Sequence, residues 1–482
     1  MQLREFFRKE HVLEAIRQVA EADDVTLMVG AGSSMESGLD SWAELVSGLL
    51  RKVGQEHGLV GHDLDSYCEW TISRDGLAGA AASVKASLAH NEFKNALVEG
   101  LYKGEAEYTP GETARAVARL RVTLGGHRHE IATTNYDHLL SAALGQEVKK
   151  RGLTGQMKPV SHGHPQGSGD LFVRHLHGEV LPSGWTRGTV VLSEAEYHRL
   201  QDEGAWQEDY FSQRLAHSTC VFIGTSLTDP NLLRYIYRAG SGLDHLALFV
   251  RQQDADLYKS RSKAAAVRER TAQARWETAG VRPIHLDYYS GTAQFLAEVE
   301  RLRTVGDDYE PLTERLGTWT KLMRRSVLSN LGNKFSHWQK RLNELLRDMV
   351  DGIDEHFGDT VERSPGERIG LALWTFDAVQ DVLVRRASSD YLMNEPGDLH
   401  RALIGWDSQI VAVQAFCSGS LVTTPTSEES ATRFNHVVGF PLYLNNDEHG
   451  RLPVGAMTLA STKSADASLL GRGLSTLRQT VA

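Results

Sequence analysis

The chain has 482 residues, more than a single hydrophobic core usually supports, so two domains are expected. Lys plus Arg total 52 against 62 Asp plus Glu, and the net charge of -10 argues against a nucleic-acid backbone as the main partner. Cys68, Cys220 and Cys417 are odd in number and scattered, which excludes a disulfide framework and a four-thiolate zinc site and leads us to expect no metal.

From the N-terminus, Met1–Glu10 reads as a charged amphipathic helix rather than a signal peptide. No apolar run approaches the roughly 20 residues that span a bilayer. A cytoplasmic protein with no membrane partner is therefore expected. Short apolar runs follow at Val25–Val29, Glu130–Thr134, Leu171–Val173, Thr189–Leu192, Cys220–Ile223, Leu246–Val250 and Ile284–Leu286, separated by helical stretches. Several are continuously apolar, as strands buried on both faces of a parallel sheet would be. The alternation predicts an α/β domain of Rossmann-like, doubly wound type over residues 1–305, with ligands held at the carboxyl ends of the strands. The basic run from Lys259 to Arg275 alternates with alanines and reads as a solvated helix face.

Between Leu316 and Ile353 apolar residues recur every three or four positions, predicting one long amphipathic helix within residues 306–360, with Gly332 as a weak point. It could be a helix packed on its own domain, a connector or a subunit interface. Residues 361–482 form a smaller α+β unit: strands at Ile369–Phe376 and Gln380–Val384, a buried helix at Ile410–Phe416, a hairpin from Val437–Leu444 through the turn 445–450 to Leu452–Leu459, and a closing helix at Leu469–Val481.

Gly30-Ala31-Gly32-Ser33-Ser34 follows the first strand and opens a helix. Glycine permits a tight turn and close backbone approach to a pyrophosphate, and Ser33 and Ser34 can donate hydrogen bonds or cap the helix. The dehydrogenase fingerprint is incomplete: Met35 stands where its third glycine would be, and Arg51 and Lys52 stand where a ribose-binding acid is expected. Alone, this loop is as consistent with a structural turn as with a nucleotide site.

Four segments in order resemble the sirtuin-like family. They are Gly30–Ser34 with Gly38-Leu39-Asp40-Ser41-Trp42, then Thr133-Thr134-Asn135-Tyr136-Asp137, His175-Leu176-His177-Gly178, and Gly224-Thr225-Ser226-Leu227-Thr228-Asp229-Pro230-Asn231. The forms of the second and fourth are similar to the bacterial branch found in anti-phage defence, including Thoeris-type effectors. The resemblance implies NAD⁺ as substrate and cleavage of its nicotinamide–ribose bond. It also implies Asn135 and His177 as the catalytic pair, and cofactor contacts from Gly30, Ala31, Gly32, Ser33, Ser34, Asp40, Trp42, Thr134, Asp137, Gly224 and Ser226. The two Cys-x-x-Cys pairs of protein-deacylating sirtuins are missing. The C-terminal unit, above all Asn435 to Thr462, resembles a GAF-type small-molecule sensor in pattern.

Nicotinamide leaves NAD⁺ as a neutral molecule through an oxocarbenium-like ribose, so catalysis consists of positioning, charge stabilisation and direction of a nucleophile. Asn135 can hold water or ribose hydroxyls without ionising, and His177 can take a proton near neutral pH. Each has a plainer role to weigh. Asn135 could be a turn residue, Asp137 and Asp229 helix caps, and His175, sharing a strand face with His177, a supporting residue. A regulated, homo-oligomeric NAD⁺ hydrolase under an unknown activating signal or partner is the leading reading. A deacylase or ADP-ribosyltransferase, and a non-catalytic nucleotide sensor, remain the alternatives.

Overall fold

The computed structural model describes the chain apart from residues 1–6, 8, 104–107, 154–170, 200–205, 240–243, 255–262, 329–334, 358–360, 393–396, 398, 406, 426–432, 447–448, 475–476 and 478–482. Most of the expected Met1–Glu10 helix lies outside this set; the first described helix is Glu10–Glu21. Among the described residues no helix is long and apolar enough to cross a membrane. The chain divides into two compact units, Gln18–Phe249 with Ala266–His285, and Met1–Arg17 with Val250–Ala265 and Leu286–Ala482.

In the first unit six strands form one sheet: β1 (Val25–Val29), β2 (Glu130–Thr133), β3 (Val173–His175), β6 (Thr219–Ile223), β7 (His245–Val250) and β8 (Val281–Leu286), in the order β3-β2-β1-β6-β7-β8. Between β3 and β6 in the chain, β4 (Glu179–Val180) and β5 (Thr186–Arg187) form a separate antiparallel pair. All five residues of β1 are buried, including Thr26, whose hydroxyl shares a 2.8 Å hydrogen bond with Ser218 Oγ. Covering both faces of a central strand requires this apolar run. β1 pairs in parallel with both β2 and β6, and Val29 lies opposite Thr133 and Ile223. Three strands thus end at one level. The order reverses beside β1, since β2 lies on one side and β6 on the other, which is the switch point where doubly wound sheets hold ligands.

Between β1 and β2 the helices Trp42–Glu56, Gly61–Ser87 and His90–Tyr102 bury a core of their own around Leu45, Leu49, Leu50, Leu64 and Leu97. The first begins at Trp42 because Ser41 caps it reciprocally with Glu44.

Thr189–Leu192, expected as a strand, is loop. Its apolar residues are needed for burial, with Val191 and Leu192 at 0% and 1% exposure, rather than for a sheet ladder. The third strand is also displaced, from Leu171–Val173 to Val173–His175.

The second unit holds a six-stranded antiparallel sheet of β9 (Ile369–Asp377), β10 (Val382–Ser388), β11 (Arg401–Leu403), β12 (Val422–Pro425), β13 (His436–Asn446) and β14 (Gly450–Ser461), ordered β11-β10-β9-β14-β13-β12. Helix Val411–Ser418 packs on β13 and β14. β10 begins two residues later than expected, because Asp381 turns the chain with φ +56°. Residues 447–448 of the expected turn lie outside the described set, as do 475–476 and 478–481 of the expected Leu469–Val481 helix; Leu469–Arg472 is helical. The expected single helix is described as two, Leu312–Leu328 and Phe335–Phe357, and Gly332 falls among the undescribed residues between them.

Helix Ser290–Val305, read from sequence as the end of the first domain, belongs to this second unit. Its polar face explains why. Gln294 donates to Arg451 O at 3.0 Å and accepts from the Arg451 guanidinium at 2.9 Å, while Glu298 pairs with Arg315.

Candidate active site

The loop after β1 and the loop after β6 cross in contact. The Gly30 N–H donates to Ile223 O and the Gly32 N–H to Gly224 O, both at 2.8 Å. A Cβ on Gly30 would stand 2.7 Å from Gly224 O, and Gly224 itself adopts φ +61°. Only glycine tolerates both demands. The Ser33 and Ser34 N–H groups turn inward to Gly30 O and Ala31 O. Four of the five amides from Gly30 to Ser34 are therefore already bonded, two across the crossing and two within the turn, and the expected pyrophosphate cradle would have few free donors.

Asn135 follows β2 and closes over the loop. Its Nδ2 reaches Gly30 O at 3.1 Å, Ser33 Oγ at 3.3 Å and Ser34 Oγ at 2.9 Å. Its Oδ1 is buried and, among the described residues, without a hydrogen-bond partner. Such an acceptor costs about 1–3 kcal/mol unless something donates to it. Asp137 works on both sides: Oδ2 accepts from Ser34 Oγ at 2.7 Å, and Oδ1 from the Leu139 N–H opening helix Leu139–Lys150. Thr134 sits between, its N–H on Val29 O.

His175 and His177 do not share a strand face. His175 ends β3, whereas His177 lies beyond it in a turn. The Asn135 carbonyl can only accept, so His175 Nδ1 must carry the proton in their 3.2 Å contact, leaving Nε2 to Ser141 Oγ at 3.0 Å. His175 thus pins the backbone at Asn135. His177 is 4% exposed and lines a cleft with Thr134, Leu176, Gln207, Phe211, Asp229, Asn231, Leu232 and Tyr235. The cleft encloses about 240 Å³ of empty space, part of it open to solvent. Burial pushes His177 below the ordinary histidine pKa, and the Asp229 carboxylate opposes that shift.

Asp229 is the residue that sequence reasoning undervalued. One oxygen caps helix Pro230–Ala239 as expected, accepting from the Asn231 and Leu232 N–H groups at 2.9 Å each. The other accepts from Tyr197 Oη at 3.0 Å and stands 3.8 Å from His177 Nε2. Tyr197 lies edge-on to His177 with centroids 5.5 Å apart, Tyr136 lies 6.5 Å away, and Trp42 leans on Tyr197 at 6.2 Å. Burial raises both phenols, keeping them neutral. Trp42 Nε1 and Asn231 Nδ2 are buried donors with no partner among the described residues.

Asn135, Asp137, His177, Tyr197 and Asp229 fall in a segment that matches a known family model, whereas Gly30–Ser34 and Trp42 precede it. The SIR2-like domain model matches residues 129–284. Two curated relatives are both named NAD(+) hydrolase ThsA. The protein from Enterococcus faecium is 24% identical over 229 residues, covering 47% of this chain and 42% of that one. The protein from Bacillus cereus (strain MSX-D12) is 25% identical over 241 residues, covering 50% and 44%. The chain thus spans less than half the length of these relatives. Among solved structures, an ADP-ribose complex of a Sir2 homologue overlays with TM-score 0.29 and 17% identity over 49% of this chain and 83% of that one. An NAD complex of a Sir2 homologue gives 0.31 and 13% over 61% and 93%. Scores this low say nothing about the site.

The sequence-derived residues do not all converge. Gly30, Ala31, Gly32, Ser33, Ser34, Thr134, Asn135, Asp137 and Gly224 form one bonded group around the loop crossing. Asp40 instead pairs with Lys103 Nζ at 2.6 Å, and Ser226 is exposed and bonds Thr228 Oγ1 at 2.6 Å. Among the described residues no group of three or more His, Cys, Asp or Glu could hold a metal ion.

Proposed function

We propose that the chain is an NAD⁺ hydrolase that cleaves the nicotinamide–ribose bond to give nicotinamide and ADP-ribose. The observation that carries this is the buried His177 facing the Asp229 carboxylate at the edge of a cleft, beyond the carboxyl ends of the parallel strands, in a SIR2-like domain. The names of the two ThsA relatives support the same chemistry.

Each residue has a task. Asn135 Oδ1 accepts a hydrogen bond from a ribose hydroxyl or the attacking water, ending its isolation. His177, held neutral by burial, takes the proton as water adds to C1 of the ribose. Asp229 then stabilises the imidazolium, and Tyr136 and Tyr197 wall the site against bulk water. Incubating the purified chain with NAD⁺ and assaying free nicotinamide tests the reading. A requirement for acylated peptide, with nicotinamide released only in its presence, would favour deacylation instead.

Asp229→Asn separates the two uses of that side chain. Asparagine keeps an oxygen for the helix cap but loses the charge facing His177. The rate should fall by about tenfold, the scale of one pKa unit of lost interaction, with little change in KM. His177 loses the influence that raises its pKa, so the acid limb of the pH–rate profile should move to lower pH. An unchanged rate and limb would leave Asp229 as a cap alone.

The second unit supplies control. A cell cannot tolerate continuous NAD⁺ hydrolysis, and the antiparallel sheet with a buried helix on it serves as a GAF-like small-molecule sensor. We expect residues 361–482 alone to be inactive, and their deletion to change the basal rate or assembly state. Identical turnover and hydrodynamic size with and without them would remove the regulatory role. We place the protein among effectors of anti-phage defence that act by depleting NAD⁺.

A further inference from the structure

Helix Phe335–Phe357 has two apolar faces, and its own unit uses only one. Phe335, Leu346 and Val350 are buried. The helix cannot rotate to bury the other face, because Gln339 Nε2 donates to Arg386 O at 2.7 Å, Asn343 to Ser388 O, and Arg347 Nε to Ser389 O at 2.8 Å. These bonds fix the helix by its polar side chains to β10 and the turn after it. Trp338, Leu345 and Met349 are left 47%, 54% and 44% exposed. At 3.6 residues per turn they fall on one narrow stripe, and Gly352 continues it. A Cβ on Gly352 would meet nothing within 4 Å.

We infer that this stripe is a self-association face on which a second copy of the chain lies antiparallel, centred on Leu345. The charge pattern selects that occupant. Arg341 flanks the N-terminal half of the stripe and Asp348 the C-terminal half, on the same edge, and both are exposed. A parallel pairing would set like charges together. The antiparallel one brings Arg341 of one copy beside Asp348 of the other, twice by symmetry. The same register sets Leu345 against Leu345 and the Trp338 indole over the open surface at Gly352 of the second copy. The largest side chain of the stripe meets the one position without a side chain.

The test is sedimentation velocity of the full chain across the micromolar range, with no NAD⁺ present, so it is independent of the proposed activity. The chain should show a concentration-dependent dimer. Trp338→Asp should weaken it by at least about 30-fold, as loss of an interface anchor does. Gly352→Leu should weaken it with Trp338 intact. Arg341→Glu and Asp348→Arg should each weaken it, and the two together should restore it, which a folding defect cannot mimic. A chain that sediments as a monomer throughout overturns the proposal, since the stripe then serves another protein. So does a dimer indifferent to Trp338→Asp, and a charge pair that fails to rescue contradicts the antiparallel register.

Discussion

His177→Ala is expected to slow NAD⁺ cleavage on the order of 10²-fold or more, and Asn135→Ala by a similar factor. The imidazole is deeply buried, and desolvation holds it below its ordinary pKa, so at neutral pH it is neutral and able to accept a proton. Alanine removes the base without disturbing a helix or strand, because His177 lies in a turn beyond β3. Asn135 acts differently. Its Nδ2 ties three atoms of the glycine loop and its Oδ1 is buried with no partner among the described residues, so alanine removes both a clamp and an acceptor. Asn135→Asp is the sharper variant: it keeps an acceptor but loses the donor, and the carboxylate would face Gly30 O. We expect it to be as slow as alanine. Nicotinamide release by both alanine variants at the parental rate would refute the assignment.

The largest stability effect is expected at Arg315. Its side chain and that of Glu298 are each 1% exposed and pair directly. Glu298 also accepts from Tyr309 Oη at 2.8 Å and Gln294 Nε2 at 3.0 Å, and Arg315 Nε donates to Glu310 O at 2.8 Å. Its remaining nitrogen reaches His449 O at the start of the β14 hairpin arm. One guanidinium therefore joins helices Ser290–Val305 and Leu312–Leu328 to the hairpin. Arg315→Met leaves a buried carboxylate uncompensated and should cost about 3–5 kcal/mol, read as a fall in the urea midpoint of the second unit. Adding Glu298→Leu should recover much of that loss, because a buried pair contributes little beyond satisfying itself. A shift below about 1 kcal/mol for Arg315→Met would show that water reaches the pair.

What could be read beforehand followed from how local each signal was. Cys220–Ile223 is a continuous apolar run and Val25–Val29 is broken only by Thr26; both end at glycine and are strands at the switch point of the sheet. Thr189–Leu192 gave the same signal and is loop. Val191 is held by its N–H on His177 O and its carbonyl under Tyr136 Oη, and neither partner can be inferred from its neighbours. Asp229 shows the same limit within one side chain. Its cap lies two and three residues away and was foreseen; its second oxygen meets Tyr197 and His177, 32 and 52 positions back, and was not. Helix Ser290–Val305 groups with the second unit through Gln294, whose partner Arg451 lies 157 positions along the chain and leaves no local signal.

A site built on His177 and Asn135 should hydrolyse NAD⁺. The most direct test quantifies nicotinamide and ADP-ribose after incubating NAD⁺ with the full-length chain at enzyme concentrations comparable to the substrate, where even a low basal rate registers. Equal amounts of the two products from the parental chain, and neither from His177→Ala, is the predicted result. Intact NAD⁺ after the parental incubation, or nicotinamide without matching free ADP-ribose, would contradict it.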